Sequence, residues 1–144
     1  MKTFTLDEAQ AVLPVVESLL NRALEARQAA GELQEEMAAL ARRLFISGGM
    51  FLDIGAAQKR KITLEALIQR ARDALQEIDS IGVQVKDLDI GLLDFPCLLE
   101  SETVLLCWKR GEPRIEFWHR IEEGFAGRQP IDARFGGMPP EKLN

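Results

Sequence analysis

The sequence predicts an α+β fold, in which a long antiparallel two-helix coiled-coil hairpin precedes a small antiparallel sheet of three to four strands packed on the overhanging first helix. Two observations carry this prediction. Apolar residues recur every three or four positions through residues 5–81, whereas residues 82–135 alternate between turn signals and short apolar runs. A chain of 144 residues suits one domain, with the hairpin at 5–81 and the sheet module and tail at 82–135.

The composition narrows the class of protein. The chain is 47% hydrophobic and 28% charged, as in ordinary globular proteins. Its formal net charge of −5, with acids and bases interleaved, argues against a nucleic-acid partner. No apolar run approaches the roughly 18 residues of a membrane span, and the first ten residues carry acids where a secretory signal would be apolar. We therefore predict a cytoplasmic protein with no membrane or nucleic-acid partner.

The two cysteines support the same compartment. Cys97 and Cys107 lie in apolar runs and form no CxxC motif. Buried thiols in a reducing cytoplasm are the expected state, and a disulfide between them is the alternative.

The first helix has a recognisable start and a continuous apolar seam. Thr5 and Glu8 have the spacing of a capping box, and Pro14 is expected to kink the helix or to divide off a short opening turn. From there to about Phe45, spacings of four and three residues alternate without a break and predict coiled-coil packing. The seam residues are Val12, Val16, Leu19, Ala23, Ala26, Ala30, Leu33, Met37, Leu40 and Leu44.

A second helix follows a glycine-containing break at 47–49. It is predicted from about Ala56 to Ser80, with Gly82 as the residue just past its end, and a short loop makes the two helices antiparallel. At a rise of ~1.5 Å per residue the first helix measures about 58 Å and the second about 38 Å. The first helix therefore overhangs near residues 6–20, and the following sheet is its natural cover.

Four segments are candidates for a meander of three or four strands. Pro96 should place its strand at an edge or mark a bulge, because proline cannot donate a ladder hydrogen bond. Trp108 and Trp118 are expected to pack between sheet and helix, with a ligand platform as the alternative. The segments are Val83–Val85, Leu92–Leu99, Thr103–Lys109 and Arg114–His119.

Further apolar residues on both helices favour self-association. A second apolar stripe on a two-helix hairpin suggests a homodimer that builds a four-helix bundle, or a helix of another protein partner. The alternative is that the sheet and tail cover these residues. They are Leu67, Ala74 and Ile81 beside the second seam, and Leu20, Leu24, Ala38 and Phe45 beside the first.

An acidic loop and the single histidine form the candidate metal site. Asp87, Asp89 and Asp94 surround a glycine, and His119 precedes Glu122 by one helical turn. Such a histidine and carboxylate set suits Zn, Mn or Fe better than Ca, and a carboxylate could also orient His119 for acid–base work. The alternatives are aspartates that cap turns and a histidine with ordinary hydrogen bonds. One histidine excludes multi-histidine catalytic zinc sites within one chain.

The basic residues of the second half suggest a weaker anion site. Arg128 lies in a glycine-containing segment, and Arg114 is near in sequence. The alternative is that Arg128 pairs with Glu122, Glu123 or an aspartate of the acidic loop. No P-loop pattern or nucleophile–histidine motif is visible, so the catalytic residues, if any exist, are unknown.

Three motifs together resemble a known family. They are FTLDEAQAVLP near the start, GVQVKDLDIGLLDFP after the second helix, and LCWKRGEPRIEFWHRIEEGFAGRQPI near the end. Over about residues 3–131 the chain resembles the uncharacterised bacterial family called domain of unknown function 2203. The resemblance implies a bacterial, cytoplasmic, single-domain protein, and it supplies no catalytic residues.

The pattern as a whole favours a self-associating interaction or scaffold protein over an enzyme. The alternative is a metal-binding protein or a metal-dependent hydrolase-like enzyme that uses the acidic loop and the single histidine. No cofactor other than a divalent metal is indicated.

Overall fold

The computed structural model describes residues 2–48 and 53–136. It confirms the α+β prediction of two packed helices followed by one antiparallel sheet. The elements are α1 (Leu6–Ile46), α2 (Ile54–Ile81), β1 (Gln84–Asp87), β2 (Leu92–Leu99), β3 (Glu102–Lys109), β4 (Phe117–Arg120) and β5 (Gln129–Pro130). Short 3-10 turns lie at Phe125–Gly127 and Ala133–Phe135.

The described chain divides into two compact units. We call residues 2–20 and 76–136 the sheet unit, and residues 21–48 and 53–75 the hairpin unit. No helix in the described ranges combines the length and the apolar character that crossing a membrane requires.

Local signals determine both ends of the predicted hairpin. The capping box at the start of α1 is present, because the Thr5 N–H donates to Glu8 Oε1 at 2.8 Å and the Glu8 N–H donates to Thr5 Oγ1 at 3.1 Å. Pro14 lies inside α1 without dividing it. At the end of α2, Gly82 has a φ of 105°, and the Val83 N–H donates to the Ile78 carbonyl across the turn. This is the glycine-terminated helix end that the sequence predicts.

The connection between the helices differs from the prediction. Residue 49 of the predicted break lies outside the described residues, and α1 ends at Ile46. The second helix begins at Ile54, two residues before the predicted Ala56, because Asp53 caps it: Asp53 Oδ1 accepts the Ala56 N–H at 3.0 Å.

In the hairpin unit, Arg60 of α2 forms a 3.7 Å ion pair with Glu36 of α1. The small seam residues Ala23, Ala26 and Ala30 are buried. Later seam residues of α1 are half-buried, namely Leu33, Met37, Leu40 and Leu44.

The sheet has five strands in the order β1-β2-β3-β4-β5, one more than the prediction allowed. The additional strand, β5, is only two residues long. The predicted strand at 114–119 begins later, at Phe117. Residues 114–116 are not part of a strand, and the side chain of Gln10 in α1 binds the backbone of Ile115 instead. Gln10 Nε2 donates to the Ile115 carbonyl at 2.9 Å, and Gln10 Oε1 accepts the Ile115 N–H at 3.0 Å.

Pro96 lies in an interior strand, yet it meets the restriction on proline. Pairs in an antiparallel ladder alternate between hydrogen-bonded and non-hydrogen-bonded, and counting from the turn pair Leu99–Glu102 makes Pro96–Leu105 a non-hydrogen-bonded pair. The pairing of β1 with β2 ends at Asp94, so neither neighbouring strand requires an N–H at position 96. The Pro96 carbonyl accepts the Phe4 N–H at 2.7 Å instead. The ring of Phe4 also packs edge-on against Phe95 at 5.8 Å, which joins the sheet to the chain just before α1.

The two-residue turn between β2 and β3 sets the register of the central strands. Glu100 and Ser101 have φ angles of 48° and 70°, and Leu99 pairs with Glu102. Positive φ at both central positions is typical of tight hairpins. Both faces of these strands are buried at most positions.

Candidate functional site

Three neighbouring strands bring an acid, a thiol and an imidazole to one face of the sheet. Asp94 of β2 lies directly opposite Cys107 of β3. Cys107 in turn pairs with Phe117 of β4, and His119 is two residues further along that strand. Since side chains two residues apart share a face, all three groups point to the same side. We call Asp94, Cys107 and His119 the buried triad.

The triad is compact and enclosed. His119 Nε2 lies 3.2 Å from Asp94 Oδ1, and the ligating atoms of all three residues lie within 4.8 Å of one another. All three side chains are buried. His119 Nδ1 lies 2.7 Å from the carbonyl oxygen of Arg120.

These contacts restrict where protons reside. The Arg120 carbonyl can only accept, so Nδ1 of His119 carries a proton and donates it. Nε2 and Asp94 Oδ1 then share one proton, either as an imidazolium beside a carboxylate or as an imidazole beside a carboxylic acid. Both forms are neutral overall, as a buried position favours. Burial raises the pKa of Asp94 above its ordinary value, although His119 opposes this shift.

The thiol of the triad is unreactive in this environment. Burial, and then the neighbouring Asp94, raise the pKa of Cys107 to about 12. Because the thiolate is the nucleophilic form of cysteine, a thiol that retains its proton is a poor nucleophile. Burial also raises the pKa of Cys97, and both cysteines are free thiols.

The acidic residues predicted from the sequence separate into two groups. The structure brings Asp94 and His119 together, whereas Asp87 uses its Oδ1 to accept the N–H groups of Asp89 at 2.9 Å and Ile90 at 3.2 Å. Asp87 therefore caps a turn, which is the alternative to metal binding that the sequence suggested for the acidic loop. Asp89 and Glu122 are exposed. In the described ranges, the one cluster of three metal-ligating side chains is the buried triad.

Cys107 is the member of the triad that sequence reasoning missed. The sequence did contain the information needed to place Cys107 beside Asp94. A two-residue turn at Glu100–Ser101 makes Leu99 pair with Glu102, so every pair of residues along β2 and β3 has numbers that sum to 201. Asp94 and Cys107 satisfy that sum. Their juxtaposition therefore follows once the turn length is known.

The predicted anion residue Arg128 is engaged within the protein. Its Nη2 donates to Glu112 Oε1 at 2.7 Å and to the Cys107 carbonyl at 3.2 Å, so its partner is Glu112 and not one of the predicted acids. Its guanidinium lies over the rings of Phe117 and Phe125, at 4.2 and 4.7 Å from their centres.

The other predicted anion residue and the two tryptophans also have partners within the sheet unit. The Nε atom of Arg114 lies 3.9 Å from Oε2 of Glu116. Trp108 donates its indole N–H to the Glu112 carbonyl at 3.0 Å, and Trp118 packs on Phe135 at 5.5 Å between ring centres.

A second candidate site lies at the loop end of the hairpin unit. There residues of both helices line an open groove with a volume of about 580 Å³. Beside it, Phe45 is 88% exposed and Ile46 83% exposed. The groove is lined by Met37, Leu40, Ala41, Arg43, Leu44, Ser47, Asp53, Ala56, Ala57 and Arg60.

The fold and these two sites define a small α+β protein with an exposed apolar hairpin end and a buried polar triad. The chain belongs to the family described as "Uncharacterized conserved protein (DUF2203)", which matches residues 2–131. No curated protein and no solved structure matches the chain.

Proposed function

We propose that this chain is a cytoplasmic, self-associating interaction protein that forms a homodimer through its hairpin unit. The observation that carries the proposal is the apolar groove beside the exposed side chains of Phe45 and Ile46. One copy thus offers a groove and, beside it, exposed apolar residues, and a second copy can cover both around a two-fold axis. The buried free thiols of Cys97 and Cys107 suit a reducing compartment.

Several exposed apolar side chains of the hairpin unit can contribute free energy to association. Ile54 and Ile62 of α2 are also exposed, in addition to Phe45 and Ile46 of α1. Burying one such side chain fully is worth about 1.5–3 kcal/mol. Association also costs translational and rotational freedom, so several of these residues must be buried together to give a stable dimer.

The charges of α1 favour a second copy of this chain in an antiparallel arrangement. Glu32 and Glu35 precede Arg42 and Arg43, and all four side chains are exposed. If two antiparallel α1 helices cross close to Ala38, Arg43 of one copy faces Glu32 of the other, and Arg42 faces Glu35. Both ion pairs are therefore compatible with nearly the same crossing point. A small residue at the crossing point lets two helices approach closely, and opposite charges then fix the register.

The first test measures the oligomeric state. In sedimentation velocity from about 1 to about 100 µM, we expect the wild-type chain to dimerise, and Phe45→Ser/Ile46→Ser to weaken the dimer by at least about tenfold, equivalent to about 1.4 kcal/mol. Val15→Ser is the matched control, because Val15 is an exposed apolar residue of the same helix in the sheet unit. A wild-type chain that stays monomeric at about 100 µM would refute the proposal.

A charge reversal tests the arrangement. Arg42→Glu/Arg43→Glu should weaken the dimer, because acidic side chains then face Glu32 and Glu35 of the other copy. Adding Glu32→Lys and Glu35→Lys to the same chain should restore it. Failure of the fourfold variant to recover would exclude the antiparallel register around Ala38, whatever the wild-type affinity.

A further inference from the structure

We propose that the buried triad is an interior binding site for one divalent transition-metal ion of the zinc type. The site differs from the set predicted from the sequence, because it uses Asp94 and His119 with Cys107 and leaves out the exposed acids. It is independent of the self-association proposed above, which concerns the hairpin unit.

The spacing of the three groups is close to that of a zinc coordination shell. Zinc–nitrogen and zinc–oxygen bonds of ~2.0–2.2 Å and zinc–sulfur bonds of ~2.3 Å place tetrahedral ligand atoms about 3.3–3.7 Å apart. His119 Nε2 and Asp94 Oδ1 are already 3.2 Å apart, and no two ligating atoms of the triad are further apart than 4.8 Å. If the largest of these separations shortened by about 1 Å, all three side chains could bind one ion. A fourth coordination position would remain for another ligand.

The imidazole is held in the orientation that a metal ligand needs. The Nδ1–H of His119 donates to the Arg120 carbonyl at 2.7 Å. A backbone carbonyl is a common outer partner of metal-bound histidine, because it fixes the tautomer and the ring plane. The Nε2 atom then faces Asp94 and Cys107, where the ion would lie.

The charge of the triad matches a divalent ion. A carboxylate, a thiolate and a neutral imidazole carry a charge of −2, so the site with a divalent ion is neutral. Binding would release two protons, one from the Cys107 thiol and one shared by Asp94 and His119. The exchange replaces one neutral buried arrangement with another and leaves no uncompensated interior charge. Thiolate and imidazole ligands favour zinc over calcium or magnesium.

The experiment loads the metal during folding, because the triad is enclosed and metal binding in such sites is coupled to folding. The untagged full chain is unfolded with a chelator and refolded with Zn²⁺ or Co²⁺. Excess metal is then removed by gel filtration. We expect about one zinc per chain by elemental mass spectrometry and, with cobalt, a thiolate-to-metal charge-transfer band.

The two cysteines provide a matched pair of variants. Cys107→Ser should lose the charge-transfer band, whereas Cys97→Ser should keep it, because Cys97 is buried on the opposite face of the same sheet. His119→Gln should lower the zinc content well below that of the Cys97→Ser protein. Circular dichroism on each variant establishes that it is folded.

Two results would overturn the proposal. One is a folded wild-type chain with less than about 0.1 equivalent of zinc and no cobalt–thiolate band. The other is a band of equal intensity in folded Cys107→Ser, which would place the metal elsewhere. In either case the triad is a hydrogen-bonded polar group of the sheet core.

Discussion

The two units of this protein hold different exceptions to the usual distribution of residues. The hairpin unit leaves Phe45, Ile46 and Ile62 exposed, whereas the sheet unit buries Asp94 and His119. An exposed apolar patch and a buried polar group are the informative exceptions in a folded chain, because each costs free energy unless something offsets it. In the hairpin unit we propose that a second copy of the chain provides the offset. In the sheet unit it comes from neighbouring side chains.

The largest expected effect tests the buried pair of the sheet unit. His119→Ala leaves Asp94 enclosed without its partner, so in chelator-treated protein we expect the free energy of unfolding to fall by about 3–5 kcal/mol. Glu122→Ala, at an exposed carboxylate nearby in sequence, should change it by less than about 0.5 kcal/mol. Urea denaturation followed by circular dichroism measures both. Similar small values for both would mean that the pair contributes nothing specific.

The pH dependence of the same pair has a definite sign. Because burial raises the pKa of Asp94 above 3.8 in the folded chain, the folded chain binds more protons than the unfolded chain between 3.8 and the raised value. The contribution of Asp94 to stability is therefore complete below 3.8 and is lost as pH rises through that window. Asp94→Asn replaces the carboxyl group with an amide of similar shape that does not titrate. Chelator-treated wild type should lose stability relative to this variant as pH rises, and parallel profiles would argue against a protonated Asp94.

Two isoleucines of the same helix compare the units directly. Ile78 of α2 lies in the sheet unit and is 0% exposed, whereas Ile62 lies in the hairpin unit and is 66% exposed. Ile78→Ala should cost about 2–5 kcal/mol, because it opens a cavity in a packed core. In dilute protein Ile62→Ala should cost less than about 0.5 kcal/mol. A cost at Ile62 that grows with protein concentration would indicate that association buries it.

A smaller effect is expected where α1 holds the sheet unit together. Gln10→Ala removes both hydrogen bonds to the backbone of Ile115, and we expect a loss of about 2 kcal/mol. Gln34→Ala, at an exposed glutamine of the same helix in the hairpin unit, is the control. It should be neutral or slightly stabilising, because alanine favours helices. Equal denaturation midpoints for the two variants would show that solvent replaces the lost bonds.

Much of the fold could be predicted because its signals are local. The capping box at Thr5 and Glu8, the glycine helix end at Gly82 and the apolar spacing of three and four residues that marks α1 as a helix each act within a few residues of the chain. β2 was predicted with the bounds that the structure has, because its apolar run is long and is followed by a tight turn.

Most features that the sequence did not predict have a different cause. The Gln10 amide binds the backbone of Ile115, 105 residues away. The pairing of Arg128 with Glu112 and the two-residue strand β5 likewise depend on how distant segments meet. No local propensity specifies such contacts. The early start of α2 was a local miss, since Asp53 is an ordinary N-cap residue.

The candidate site divides in the same way. The sequence by itself determined that the chemistry of one histidine and a few aspartates lies in the second half of the chain, and that the hairpin has apolar residues in excess of one seam. Only the tertiary structure decided which aspartate meets His119, that Cys107 joins them, and that Phe45 and Ile46 lie exposed beside a groove. The physical reason is that side-chain chemistry is a property of each residue. Burial and proximity arise only when strand register and helix packing bring residues far apart in sequence together.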